Sequence, residues 1–104
     1  MVYVIATVQV RPNMLEHVAR EFRAVSPEVR AEQGCLEYCA TIDVDSGLAR
    51  QSALRVDVVT VIEKWKDIAA LAAHSTAPHM DAFRKRIANY VVGTSLQVLA
   101  PVEG

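Results

Sequence analysis

From Val2 to Val10, Val2, Val4, Ala6, Val8 and Val10 share one face, and Tyr3, Ile5, Thr7 and Gln9 share the other. A period of two in β-branched residues predicts a strand with one wholly apolar face and one mixed face. Arg11-Pro12-Asn13 breaks the run. Met14, Leu15, Val18, Ala19, Phe22 and Val25 then recur at helical spacing among Glu16, Arg20, Glu21 and Arg23. This pattern predicts an amphipathic helix capped by Asn13. Ser26-Pro27 is expected to kink or pause it, and a short helical piece from Glu28 to Gln33 is ended by Gly34.

Alternation returns from Cys35 to Val44, which predicts a second strand. Asp45-Ser46-Gly47 is a turn signal, and Leu48 to Leu54 reads either as loop or as frayed strand. Val56 to Trp65 is nearly continuous Val, Ile and Thr, the composition of a central strand covered on both sides. Asp67 is placed to cap a helix over Ile68 to His74, and Ser75-Thr76-Ala77-Pro78 interrupts and restarts it. The restarted helix carries His79, Met80, Phe83, Ile87 and Tyr90. Gly93 is a break, and Thr94 to Ala100 alternates as a last strand.

The order β-α-β-β-α-β predicts an α+β chain with the ferredoxin-like split βαβ arrangement and a four-stranded antiparallel sheet, in one domain over residues 1–104. Helices cover only one face of such a sheet. Parity along the strands assigns Ile5, Val59, Val61 and Leu99 to the other face, among Thr7, Gln9, Thr41, Ser95 and Gln97. A face that apolar is expected to be covered by a second copy of the chain, so a homodimer is predicted.

Composition narrows the function. Eleven Lys and Arg against twelve Asp and Glu leave a formal charge of -1, so no basic excess exists to bind nucleic acid or an anionic membrane. The start, Met1-Val2-Tyr3-Val4-Ile5, has neither the basic region nor the cleavage site of a signal peptide, and no apolar stretch approaches the ~20 residues of a membrane span. A cytoplasmic location without membrane insertion is expected. Cys35 and Cys39 on one strand lie about 13 Å apart, too far for a disulfide. Both are expected to be reduced and buried, and the three histidines, His17, His74 and His79, do not have the spacing of a metal finger.

Acyl-transfer and nucleotide-binding motifs are absent. What stands out is the segment 63–83, with Glu63, Trp65, His74, His79, Met80 and Phe83. Glu63 and Trp65 share a strand face, and His79 and Phe83 share a helix face. Singly, these residues have ordinary readings: a tryptophan that fills core or interface, a glutamate that caps a helix or pairs with an arginine, and surface or capping histidines. In a chain only 6% aromatic, their concentration points to an apolar pocket with a few polar groups.

Glu63-Lys64-Trp65, then His74, then Ser75-Thr76-Ala77-Pro78-His79-Met80 resembles the E-x-W…H-x-x-x-P-H pattern of the antibiotic biosynthesis monooxygenase family. The similarity spans essentially the whole chain and is greatest to small bacterial quinol monooxygenases. It implies a dimeric α+β barrel and oxidation of a small aromatic substrate, a quinol or polycyclic phenol, by molecular oxygen without flavin, haem or metal. His74 or His79 is the implied base, and Trp65 and Phe83 stack on the ring. Tyr38 or Glu63 orients a hydroxyl, and Met80 completes the substrate contacts. The first strand lacks the asparagine of the haem-degrading branch, and Val56 to Lys64 lacks that of the tailoring branch. Two other readings suit the same pocket: a non-catalytic small-molecule binding or stress-response module, and an isomerase or processing enzyme for a small carbonyl metabolite.

Overall fold

The computed structural model describes residues 1–104. Its elements are β1 (Val2–Val10), α1 (Leu15–Arg30), β2 (Cys35–Thr41), β3 (Val58–Trp65), α2 (Ile68–Ser75), α3 (Pro78–Ile87), a 3₁₀ turn (Ala88–Tyr90) and β4 (Val91–Leu99). The strands form one antiparallel sheet in the order β2-β3-β1-β4, the expected ferredoxin-like α+β topology.

β1 sits between β3 and β4, and its apolar face makes the core. Val4, Ala6, Val8 and Val10 are buried beneath the helices, and α1 contributes Val18, Phe22, Val25 and Val29. The phase of β3 differs from the sequence expectation. Val59 pairs with Val8 and Val61 with Ala6, which puts both on the helix-covered face. The opposite face instead carries Val58, Thr60, Ile62 and Lys64, and Ile62 is 38% exposed, so this strand is covered on one side only within the chain. A run of consecutive β-branched residues has no alternation to fix its phase, and pairing with β1 sets it.

Helix α1 runs unbroken through Pro27 to Arg30, because the apolar stripe either side of the proline is buried and outweighs the missing N–H. The Ser26 hydroxyl donates to the Phe22 carbonyl at 2.6 Å. Asn13 is not the cap. It adopts φ +69, and Met14 occupies the cap position without a side-chain bond. Asp67 does cap α2, accepting the Ala70 N–H at 2.8 Å, and Pro78 opens α3 as expected.

β2 ends at Thr41, short of the expected Val44. The connection to β3 is an irregular arm closed by Arg55, which donates to both carboxylate oxygens of Asp43. The cysteines are free, but Cys35 is half-buried and Cys39 exposed, contrary to the expectation that both are buried. A bulge between Cys35 and Glu37 swings Leu36 outward and leaves Cys35 on the same face as Tyr38. No helix is long and apolar enough to cross a membrane.

Candidate active site

Four segments meet at one end of the sheet. The end of β3 delivers Glu63 and Trp65, both facing the helices, and β2 sets Tyr38 directly opposite Glu63. The last turn of α2 carries His74 and the first turn of α3 carries His79. The fourth segment is the turn after α1, which brings Glu32. That turn lies hard against α2 because of Gly34. Its φ is +84, and a Cβ there would meet the Ala70 Cβ at 2.5 Å. The Gly34 carbonyl also accepts the Lys66 N–H at 2.8 Å, tying the turn to the end of β3.

These residues form a continuous polar chain. Oε2 of Glu32 lies 2.9 Å from Nδ1 of His74 and 2.7 Å from Nε2 of His79. Nε2 of His74 lies 3.9 Å from Oε1 of Glu63, which accepts the indole N–H of Trp65 at 2.9 Å. The His74 ring packs on that indole with centroids 4.7 Å apart, and the Tyr38 ring is 5.8 Å away. A carboxylate only accepts, so both histidine nitrogens that face Glu32 donate to it. The second nitrogen of His74 is left on the side of Glu63. Every buried side-chain polar atom has a partner.

Burial sets the protonation of the neighbours. It pushes the Glu63 carboxyl above the usual carboxylate range, reinforced by Glu32 and opposed by the Trp65 N–H and by His74. Burial likewise raises the Tyr38 phenol well above its ordinary value, so it is a neutral hydroxyl at physiological pH. The Cys35 thiol is pushed up by burial and by the nearby carboxylates of Glu32 and Glu63, which suits a passive thiol and not a nucleophile. No three His, Cys, Asp or Glu side chains are set out as a metal-ligand group.

A cavity of about 360 Å³ opens beside this chain, between the covered face of the sheet and helices α2 and α3. Glu63, His74 and Tyr38 line it together, and Phe83, Met80 and Phe22 supply its apolar wall. Five residues singled out from the sequence therefore share one cavity: Tyr38, Glu63, His74, Met80 and Phe83. Two others do not reach it. Trp65 is wholly buried and backs Glu63 and His74, so its indole face is not available to a ring in the cavity. His79 hydrogen-bonds Glu32 from outside the cavity lining.

Glu32 escaped the sequence reading. It lies in a turn without periodicity, 42 and 47 residues from its partners, and only its place beside the Gly34 break marked it. Thr94 and Leu96 were missed too. They line the cavity from β4, whose helix-side face is left uncovered, with Leu96 59% exposed. A groove of about 380 Å³ between α1 and β2 has the charged lining residues Glu16, Arg23 and Arg30 but no histidine and no buried carboxylate.

The sequence profile described as antibiotic biosynthesis monooxygenase matches residues 1–86. The Escherichia coli K12 protein named probable quinol monooxygenase YgiN is 33% identical over 103 residues, covering 97% of this chain and 98% of that protein. Among solved structures, PA3566 from Pseudomonas aeruginosa superposes with a TM-score of 0.80 at 28% identity, over 97% of this chain and 93% of that one. Rv0793 from Mycobacterium tuberculosis has the same fold, with a TM-score of 0.79 at 24% identity over 99% and 96% of the two chains.

Proposed function

Since the chain belongs to the antibiotic biosynthesis monooxygenase family, we propose that the His74 cavity binds an electron-rich dihydroxy-aromatic, a quinol, and promotes its oxidation by molecular oxygen. The observation that carries this reading is His74 at the cavity wall, with one ring nitrogen on Glu32 and the other directed to Glu63. The printed name of the Escherichia coli relative supports a quinol in particular.

The chemistry asks little of the protein. Nε2 of His74 takes the proton of one hydroxyl, a step worth about 10²–10⁴ in rate when the base is well placed. The resulting anion is rich enough in electrons to reduce oxygen. One oxygen atom enters the ring and the other leaves as water, so that quinol plus O₂ gives hydroxyquinone plus H₂O. The substrate supplies every electron, and the route calls for no flavin, haem or metal ion. The neutral Tyr38 hydroxyl is suited to donate to the oxygen on which charge develops, and Glu63 to hydrogen-bond the second hydroxyl. Phe83, Met80 and Phe22 hold the ring and exclude water.

A second copy of the chain belongs to this proposal. The open sheet face presents Ile5, Ile62 and Leu99, and Leu99 is 45% exposed. A face-to-face pair buries that surface in the manner of a two-sheet barrel. Light scattering at micromolar concentration is expected to give twice the chain mass, and a monomer mass refutes the pairing.

The function is tested by oxygen uptake with metal-stripped protein and a chemically reduced naphthoquinol, after subtraction of the uncatalysed rate. Uptake above background is expected. No uptake across a panel of quinols sinks the proposal, and tight binding without turnover favours a binding module instead.

A further inference from the structure

We infer that Glu32 is the positioning residue of this site: it holds the His74 proton on Nδ1 and so leaves Nε2 bare toward Glu63 and the cavity. His79, on this inference, anchors Glu32 and is not a base. The role given to Nε2 rests on the proposed function. The placement of the proton does not, and it stands on geometry alone.

The geometry is specific. A single oxygen, Oε2 of Glu32, takes both histidines at 2.9 and 2.7 Å. The Glu32 side chain is only 13% exposed and that of His74 7%, so water competes weakly for either bond. Neutral imidazole carries one proton, and the free ring in water prefers it on Nε2. A buried carboxylate at Nδ1 reverses that preference, and it fixes the ring plane as well. Without Glu32 the proton moves to Nε2, which then faces Glu63 as a donor and cannot take a proton from a hydroxyl.

His79 completes the arrangement from the other side. It approaches from the first turn of α3 with a side chain 23% exposed, and its Nε2 is spent on Glu32. It therefore keeps the carboxylate aimed at His74 against its own rotational freedom. The titratable and charged groups around His74 are Glu32 from the α1–β2 turn, Tyr38 and Cys35 from β2, Glu63 from β3, and His79 and Arg84 from α3. Among them only Glu32 hydrogen-bonds the ring.

The test is a two-bond proton–nitrogen correlation spectrum of ¹⁵N-labelled protein at a pH where the ring is neutral, with His74 assigned by the signals lost in His74→Gln. A protonated Nδ1 and a bare Nε2 are expected. In Glu32→Gln the ring is expected to lose that tautomer and shift to the pattern of free imidazole, weighted toward Nε2–H. Should Glu32→Gln not fold, His79→Gln serves, since loosening the carboxylate also broadens the tautomer balance. An Nε2–H tautomer in the unaltered protein, or a His74 spectrum unchanged by both substitutions, overturns the inference. A kinetic arm separates this from the function. With naphthoquinol, Glu32→Gln is expected to lower kcat at least about ten-fold with KM within about three-fold. Absence of oxygen uptake by the unaltered protein sinks the proposed function while the spectrum still decides the role of Glu32.

Discussion

The indole N–H of Trp65 donates to Oε1 of Glu63 at 2.9 Å, although the two residues are neighbours on one strand face. Trp65 thus acts on the site through the Glu63 carboxyl group and by backing the His74 ring, and not through a ring face open to the cavity. Trp65→Phe strands a buried oxygen, and a loss of about 1–3 kcal/mol is expected, with a smaller cavity cost added. Urea denaturation measures it. A loss within error of zero means that the bond contributes nothing.

Glu63 sets a pH dependence of stability whose sign follows from its raised pKa. In the unfolded chain the group ionises at the ordinary carboxylate range. In the folded protein it ionises higher, so between the two values the native state binds more protons and stability falls as pH rises. Below the ordinary carboxylate range the penalty is absent, and above the folded value it is complete. Glu63→Gln keeps an acceptor for Trp65 and removes the titration. Its stability relative to the unaltered protein is expected to improve from pH 4 to pH 8. A difference independent of pH contradicts the assignment.

The two histidines are expected to separate kinetically. His74→Ala removes the only imidazole on the cavity wall, and oxygen uptake is expected to fall about 10²–10⁴-fold. His79→Ala leaves the cavity intact and is expected to cost less, about ten-fold. Equal and small effects from both place the chemistry elsewhere.

Gly34 carries two constraints that a comparison with Gly47 separates. Both have positive φ, +84 and +74, but only Gly34 has a neighbour where a Cβ would go. Gly47→Ala is expected to cost about 1 kcal/mol from backbone strain alone. Gly34→Ala is expected to cost about 2–4 kcal/mol, because the turn must also back away from Ala70. Thermal melts of the pair check this, and similar costs mean that the contact relaxes freely.

Much of this was legible in the sequence, and the failures have identifiable causes. β1 and the order of elements were readable because one strand face is apolar without exception. Asp67 and Pro78 were readable because each carries its own local signal. The phase of β3 was not, since Val58 through Ile62 is β-branched throughout and Thr60 is its single, weakly polar marker of a face. Asn13 has the chemistry of a cap, but it lies in the left-handed region one residue too early. Tyr38, Glu63, His74, Met80 and Phe83 were found by type and came together in space. Glu32 was not found, because its meaning depends on partners that only the tertiary fold delivers.

The arm between β2 and β3 offers a local test. The Arg55 guanidinium grips the half-buried Asp43 carboxylate and holds its pKa at about 2. The stabilisation of the clasp is present above the ordinary carboxylate range and is lost as pH falls through about 2. Arg55→Ala is expected to speed proteolytic cutting within residues 43–55 while the melting temperature barely moves, because the arm gives no side chain to the core. An unchanged cutting rate refutes the clasp.

The position of β1 also dictates when the protein folds. This strand precedes the others of the sheet, yet both of its edges are claimed by strands made much later, β3 from Val58 and β4 from Val91. The sheet therefore closes only once β4 is available, and a nascent chain that has reached β3 still lacks half of the partners of its central strand. In that interval one edge of β1 lies open, with Val4, Ala6 and Val8 beside it, ready to pair with another chain. The arrival of β4 closes that edge and completes the pairing of the sheet.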